Sequence, residues 1–327
     1  MADGGNVADV VQERTHDTLY HTGMNSTDSI RGWRRWWLGV RPATLGLSLV
    51  PVFLGSALGL RLGGAGDLPA FLVACLCVLC IQAGTNLFND AGDGARGADG
   101  PERLGPPRLV GSGLATVAEV RHAAVLCFGV ALAGGLYLAA RHGSVIIVIG
   151  LASLLAGWLY SGGPRPLSHT PWGESFVLLF FGLVAVAGSC YLQTGTFSAL
   201  ALLFGVVPGS QAAAVLLVNN TRDLKQDSAA GRTTLASLLG ERAARSLYAL
   251  LVLLPFALLP WMALELGLMV LGWAPLILLP QAFVAIRRFA QRDGRALNQQ
   301  LEDTARLQAM LCAVLVYCLL WGPAASA

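Results

Sequence analysis

About nine stretches of apolar residues recur along the chain, each near the length at which a helix can cross a bilayer, and nothing else restricts its possible folds so tightly. A span needs roughly 20 residues to traverse about 30 Å of hydrocarbon. The stretches run 45–60, 68–87, 123–140, 145–160, 175–192, 200–218, 247–261, 266–286 and 307–321, the seventh and eighth nearly continuous. Composition agrees: 55% of residues are apolar and 13% charged, where a soluble domain carries roughly a quarter charged residues. The expected class is an all-α, multi-pass membrane protein.

Charge placement gives an expected orientation, because short loops rich in Lys and Arg stay in the cytoplasm. One side collects Arg31, Arg34, Arg35 and Arg41 before the first span, Arg96, Arg103, Arg108 and Arg121 after the second, and Arg165 after the fourth. It also collects Arg222, Lys225 and Arg232 after the sixth span and Arg287, Arg288 and Arg292 after the eighth, while Arg61 and Arg141 fall opposite. The pattern requires an odd number of spans and predicts a cytoplasmic N-terminus in a cell-membrane protein.

The chain divides into three parts. Residues 1–25 are polar, resemble no cleavable signal peptide and are expected to be disordered. Residues 26–40 predict a capped helix with Trp33, Trp36 and Trp37 beside its arginines, suited to the headgroup layer. The membrane domain follows over 41–327. All seven cysteines lie in apolar spans, Cys77 and Cys80 forming a CxxC, and the five histidines are scattered, so no zinc or disulfide role is expected. No nucleic-acid partner is expected; the lipid bilayer is.

Two polar clusters interrupt this pattern. The second span runs into Asn86, Asn89, Asp90 and Asp93, and the sixth into Asn219, Asp223 and Asp227. Residues three or four apart share a helix face, so each cluster can present amide and carboxylate oxygens together. Either alone would also suit a solvated helix end. Paired, on one predicted side and each with Asn before Asp, they point to a cation, because crowded carboxylates near hydrocarbon need compensation. Hard oxygen donors suit magnesium, which favours one or two carboxylates plus substrate phosphate. Two half-sites facing each other across a diphosphate fit that preference.

At these residues the chain resembles the UbiA-type superfamily of intramembrane aromatic prenyltransferases, with Asn89-Asp90-x-x-Asp93 as its first motif and Asp223-x-x-x-Asp227 as its second. The family often has a further Asp where this chain has Gly97, and here Asp99 stands two residues on. That displacement, with Arg41-Pro-Ala-Thr-Leu45, the segment 97–108 and the segment 219–240, is similar to the branch that prenylates 1,4-dihydroxy-2-naphthoate. One departure is Ala43, where such enzymes commonly carry Lys.

The resemblance implies nine helices around a central cavity with a cytoplasmic cap, and transfer of a prenyl group from a polyprenyl diphosphate to the naphthoate with loss of carbon dioxide and diphosphate. It implies magnesium on Asn89, Asp90, Asp93, Asn219, Asp223 and Asp227, with Asn86, Asn89, Asp99 and Asn219 binding the diphosphate. Arg41, Arg103, Arg108 and Arg232 become candidate diphosphate contacts, and Tyr160 a candidate stabiliser of the allylic cation. Glu174, Tyr191 and Gln193 suit helix-end packing as well as function. Another aromatic acceptor, such as a hydroxybenzoate, stays open at this point. So does a cation-coupled transporter, although its acids are expected near the midplane rather than at span ends.

Overall fold

The computed structural model describes residues 32–97, 103–162 and 166–323, the side chain of Ala43 excepted. In hydrocarbon every backbone N–H and C=O needs a partner within the protein, so apolar segments of this length satisfy themselves as helices. Among the described residues there is no strand, and nine helices are long and apolar enough to cross a membrane, as the hydropathy pattern predicts.

A short helix α1 (Arg34–Val40) precedes the first span α2 (Pro42–Arg61), followed by α3 (Leu68–Ala95), α4 (Val117–His142) and α5 (Ser144–Ser161). Then come α6 (Gly173–Thr194), α7 (Ala199–Arg222), the short helices α8 (Leu224–Ala229) and α9 (Leu235–Leu239), and the spans α10 (Glu241–Leu266), α11 (Val270–Gln291) and α12 (Leu297–Trp321). Helix α3 packs on α4, α4 on α5, and α6 on both α2 and α7. The arrangement closes because α12 packs against α2 as well as α7.

Helix α7 is the most enclosed span, and buried amides tie it to its neighbours. Gln211 donates to the Val252 carbonyl at 3.1 Å, and Gln308 donates to the Pro208 carbonyl at 2.9 Å. The α6–α7 crossing depends on glycine, since lipid tails give no hydrophobic drive and close backbone packing must supply the attraction. At Gly182, inside a π-helical turn over Leu179–Val184, an added Cβ would stand 2.4 Å from the Gly205 carbonyl oxygen and 2.6 Å from the Gly209 Cα. Gly182→Val is therefore expected to destabilise the fold by about 3 kcal/mol or more, read as lost monodisperse protein on size exclusion. Gly129→Ala, which meets nothing within 4 Å, should leave that profile unchanged.

Three departures from the apolar pattern position the site. Helix α3 continues to Ala95, two turns past the apolar edge near Leu87, so the first motif lies on its final turns. Helix α7 ends at Arg222, and Asp223 forms the junction to α8, which carries Asp227. Between α1 and α2, Arg41 has φ 54° and ψ 74° and is the one non-glycine with positive φ among the described residues. A left-handed conformation costs a side-chain-bearing residue roughly 1–2 kcal/mol, and here it turns the chain from α1 into the first span. Trp33, in the turn at Gly32–Trp33 that interrupts the predicted 26–40 helix and caps α1, and Trp37 on α1 are 73% and 58% exposed, suited to the headgroup layer. The rest of the predicted 26–40 helix up to Arg31, and residues 1–25, lie outside the described residues.

Candidate active site

A cavity of about 950 Å³ runs between α2, α3, α4, α5, α6, α7 and α12. Its deep walls are apolar, with Ile149, Leu154, Phe180 and Val184 among them. Its polar end is lined by Arg41, Asn86, Asn89, Arg103, Asn219 and Arg222, together with Tyr160. Tyr160 stacks on Phe176 at 6.3 Å, and Phe176 meets Phe180 at 4.7 Å, which lays an aromatic stripe along one wall.

The first motif divides by helix face. Asp93, 2% exposed, receives three guanidinium groups: Arg96 at 2.8 Å, Arg232 at 2.9 Å, and Arg108. Arg108 also donates to the Asn89 backbone carbonyl at 3.2 Å. Asn86 turns its amide N–H groups to the Val40 carbonyl at 2.9 Å and the Thr44 hydroxyl at 3.2 Å, bracing the turn at Arg41. Asp90 departs from the expected convergence: its two oxygens accept the backbone N–H groups of Leu109 at 2.8 Å and Val110 at 3.1 Å.

The second motif is organised by a residue that spacing did not single out. Arg222 forms a forked pair with Asp223, through Nε at 2.7 Å and Nη2 at 2.6 Å, and also donates to the Asn219 side-chain oxygen at 2.8 Å. Its Nη1 donates to Asn298 at 2.6 Å, and Asn298 donates to the Leu104 carbonyl at 2.9 Å. The loop after the first motif is thereby tied to α7 and α12. Gly105 permits that approach, since a Cβ there would stand 2.9 Å from an Arg222 nitrogen. Behind Asn219, Asn220 donates to Glu174 at 2.9 Å, and the second Glu174 oxygen is buried without a hydrogen-bond partner.

Arg232 joins the two motifs, because one guanidinium reaches Asp93 at 2.9 Å and Asp227 at 3.5 Å. Burial pushes the Asp227 carboxyl up to about 6; nearby Asp223 and Asp93 add to this and Arg232 opposes it. Burial first, then the neighbouring Arg108 and Arg103, hold the Arg41 guanidinium down at about 9, and its Nη2 has no hydrogen-bond partner among the described residues. Burial and Arg232 likewise depress His169 to about 4, so its imidazole is neutral at pH 7. Arg41, Arg96, Arg103, Arg108, Arg222 and Arg232 thus gather around Asp90, Asp93, Asp223 and Asp227, an excess of positive charge at the polar end of an apolar cavity. Asp99 and Arg165 lie outside the described residues.

The donor set fits a hard divalent cation shared with a phosphorylated ligand. Asn89, Asp93, Asn219, Asp223 and Asp227 offer amide and carboxylate oxygens, whereas no group of three or more His, Cys, Asp or Glu converges among the described residues. Such a site cannot enclose magnesium alone and suits an ion completed by phosphate oxygens and water. Arg222 and Asn298 were not legible as a pair, since 76 residues separate them.

Among the described residues, an apolar cavity between membrane-length helices, with two aspartate motifs and a surplus of arginine gathered near one end, suits an intramembrane enzyme that handles a long apolar chain with an anionic head. The chain belongs to the UbiA prenyltransferase family, whose profile matches residues 48–311. It is 36% identical to the 1,4-dihydroxy-2-naphthoate octaprenyltransferase of Mycobacterium tuberculosis over 83% of this chain and 91% of that one. It is 33% identical to the Escherichia coli enzyme of the same name, over 83% and 90% of the two chains. Among solved structures, a UbiA homolog from Archaeoglobus fulgidus bound to DMAPP and Mg2+ superposes with a TM-score of 0.64 at 17% identity, covering 88% of this chain and 99% of that one.

Proposed function

We propose that this prenyltransferase moves a polyprenyl group from its diphosphate to 1,4-dihydroxy-2-naphthoate, releasing carbon dioxide and diphosphate and yielding demethylmenaquinol. The observation that carries the reading is the meeting of Asp93 and Asp227 over Arg232, with Arg108 linking Asp93 to Asn89 on the cavity wall. The naphthoate acceptor is supported by the names of relatives at 32–38% identity.

Arg41, Arg103, Arg108, Arg222 and Arg232 bind and orient the diphosphate through charge-assisted hydrogen bonds. Asn89, Asp93, Asn219, Asp223 and Asp227 hold magnesium, which when bound supplies Lewis-acid withdrawal of charge from the leaving diphosphate. The prenyl C–O bond breaks with its electron pair going to the diphosphate. The apolar cavity keeps water from the allylic cation, and the faces of Tyr160, Phe176 and Phe180 stabilise its charge. The electron-rich ring carbon bearing the carboxylate then bonds to the prenyl carbon. Cleavage of the ring-to-carboxylate bond returns its electron pair to the ring, and carbon dioxide departs. The arginine distribution supports a cytoplasmic active site and N-terminus in the cell membrane.

The test is an acceptor screen. Purified protein in lipid nanodiscs, supplied with a polyprenyl diphosphate, magnesium and 1,4-dihydroxy-2-naphthoate or, in parallel, a hydroxybenzoate, is expected to yield a prenylated, decarboxylated naphthoquinol by mass spectrometry. Chelation of magnesium is expected to stop turnover and readdition to restore it. A prenylated hydroxybenzoate with no naphthoate product would refute the acceptor.

A further inference from the structure

Asp90 sits in the middle of the first motif with its side chain 1% exposed. An ionised carboxylate only accepts hydrogen bonds, and here the two oxygens take two successive backbone N–H groups, Leu109 and Val110. The surrounding surface is shaped for that segment. Leu109 is fully buried and packs with Leu87 and Ala91 of α3. At Gly94, four residues beyond Asp90, an added Cβ would stand 2.3 Å from a Val110 methyl. At Gly39 on α1 it would stand 2.5 Å from a Leu109 methyl. The residue just before this anchored pair is Arg108, which reaches Asp93 and the Asn89 carbonyl.

We infer that Asp90 is a positioning residue, which clamps the Leu109–Val110 backbone onto α3 and so aims Arg108 at Asp93 and the diphosphate, rather than a magnesium ligand. Its face of the helix explains the division of labour. At about 100° per residue, Asn89 and Asp93 stand only about 40° apart, whereas Asp90 lies about 60° beyond Asp93 and about 100° from Asn89, on the side that the Leu109–Val110 backbone covers. The kinetic consequence rests on the proposed role of Arg108 at the diphosphate; the clamp itself does not.

Asp90→Asn separates these roles, because the amide replaces one acceptor with a donor that opposes a backbone N–H. In the protein without substrate, hydrogen exchange at the Leu109 and Val110 amides is expected to accelerate at least about tenfold in Asp90→Asn. In turnover, KM for the prenyl diphosphate is expected to rise about tenfold while the magnesium concentration for half-maximal rate stays within about twofold of wild type. Asp93→Asn should instead raise that magnesium requirement by about tenfold or more. Gly94→Ala, which pushes Val110 off the helix without touching a carboxylate, should reproduce the exchange and KM effects, and the double variant should be less than additive.

The inference is overturned if Asp90→Asn shifts the magnesium requirement as far as Asp93→Asn does, or if exchange at Leu109 and Val110 is unchanged. Should Asp90→Asn fail to fold, unchanged exchange in Gly94→Ala overturns it equally. The exchange measurement needs no acceptor, so a wrong naphthoate assignment would leave the clamp supported.

Discussion

Asp93→Ala is expected to lower turnover by at least about a thousandfold, the scale of removing a preorganised electrostatic contact at a reacting centre. The carboxylate is buried and receives Arg96, Arg108 and Arg232 at once. Without it, three guanidinium groups face one another with no anion between them, and Arg232 loses the bond that joins the motifs. On the proposed mechanism the variant also loses an oxygen donor for magnesium, so added magnesium should not rescue it. Insertion should persist, because the spans depend on helix packing elsewhere, while a thermal melt should shift downward because the buried Arg108 loses its carboxylate partner. Membrane fractionation and a size-exclusion profile should match wild type, while product is followed by mass spectrometry. Wild-type rates in this variant would remove Asp93 from the chemistry.

Arg222→Ala should damage both stability and activity. Its guanidinium is 2% exposed and has Asp223, Asn219 and Asn298 as partners. Removing one member of a buried ion pair typically costs about 3–5 kcal/mol, because the other charge is left uncompensated. Asp223 is 20% exposed, so solvent relieves part of this and about 3 kcal/mol is the expected loss. A thermal melt in detergent should shift downward, and turnover should fall by about a hundredfold or more as the diphosphate loses a cavity-lining cation. Arg222→Lys should recover charge but not the fork, leaving a rate between the two. A melt identical to wild type in Arg222→Ala would show that the fork contributes nothing to the fold.

The spans were legible because one physical requirement, covering hydrocarbon with about 20 apolar residues, writes itself continuously into the chain. The spacing of Asn89 with Asp93 and of Asp223 with Asp227 was legible for a similar reason, since helical periodicity is local. What escaped is non-local or involves backbone. The partners of Asp90 are two amides, 19 and 20 residues away in an irregular loop, and a backbone N–H leaves no mark in the sequence. Asn86 braces the Val40 carbonyl 46 residues earlier for the same kind of reason. The extension of α3 to Ala95 runs against the low helix propensity of Gly92 and Gly94. Tertiary contacts outweigh that propensity, with Val110 covering Gly94 and three arginines satisfying Asp93.

The packing of α12 on α2 and the reach of Asn298 to Arg222 and Leu104 bear on the order of assembly during synthesis. A ribosome delivers the arginines and aspartates of both motifs well before it delivers residue 298. Until then Arg222 lacks one of its restraints and the cavity lacks a wall. The nascent chain therefore carries the charged half of a catalyst that is not yet sealed from water. On the proposed mechanism the cavity is complete only once the closing helix is in place, so a partly translated chain has no sealed pocket in which to form a reactive cation.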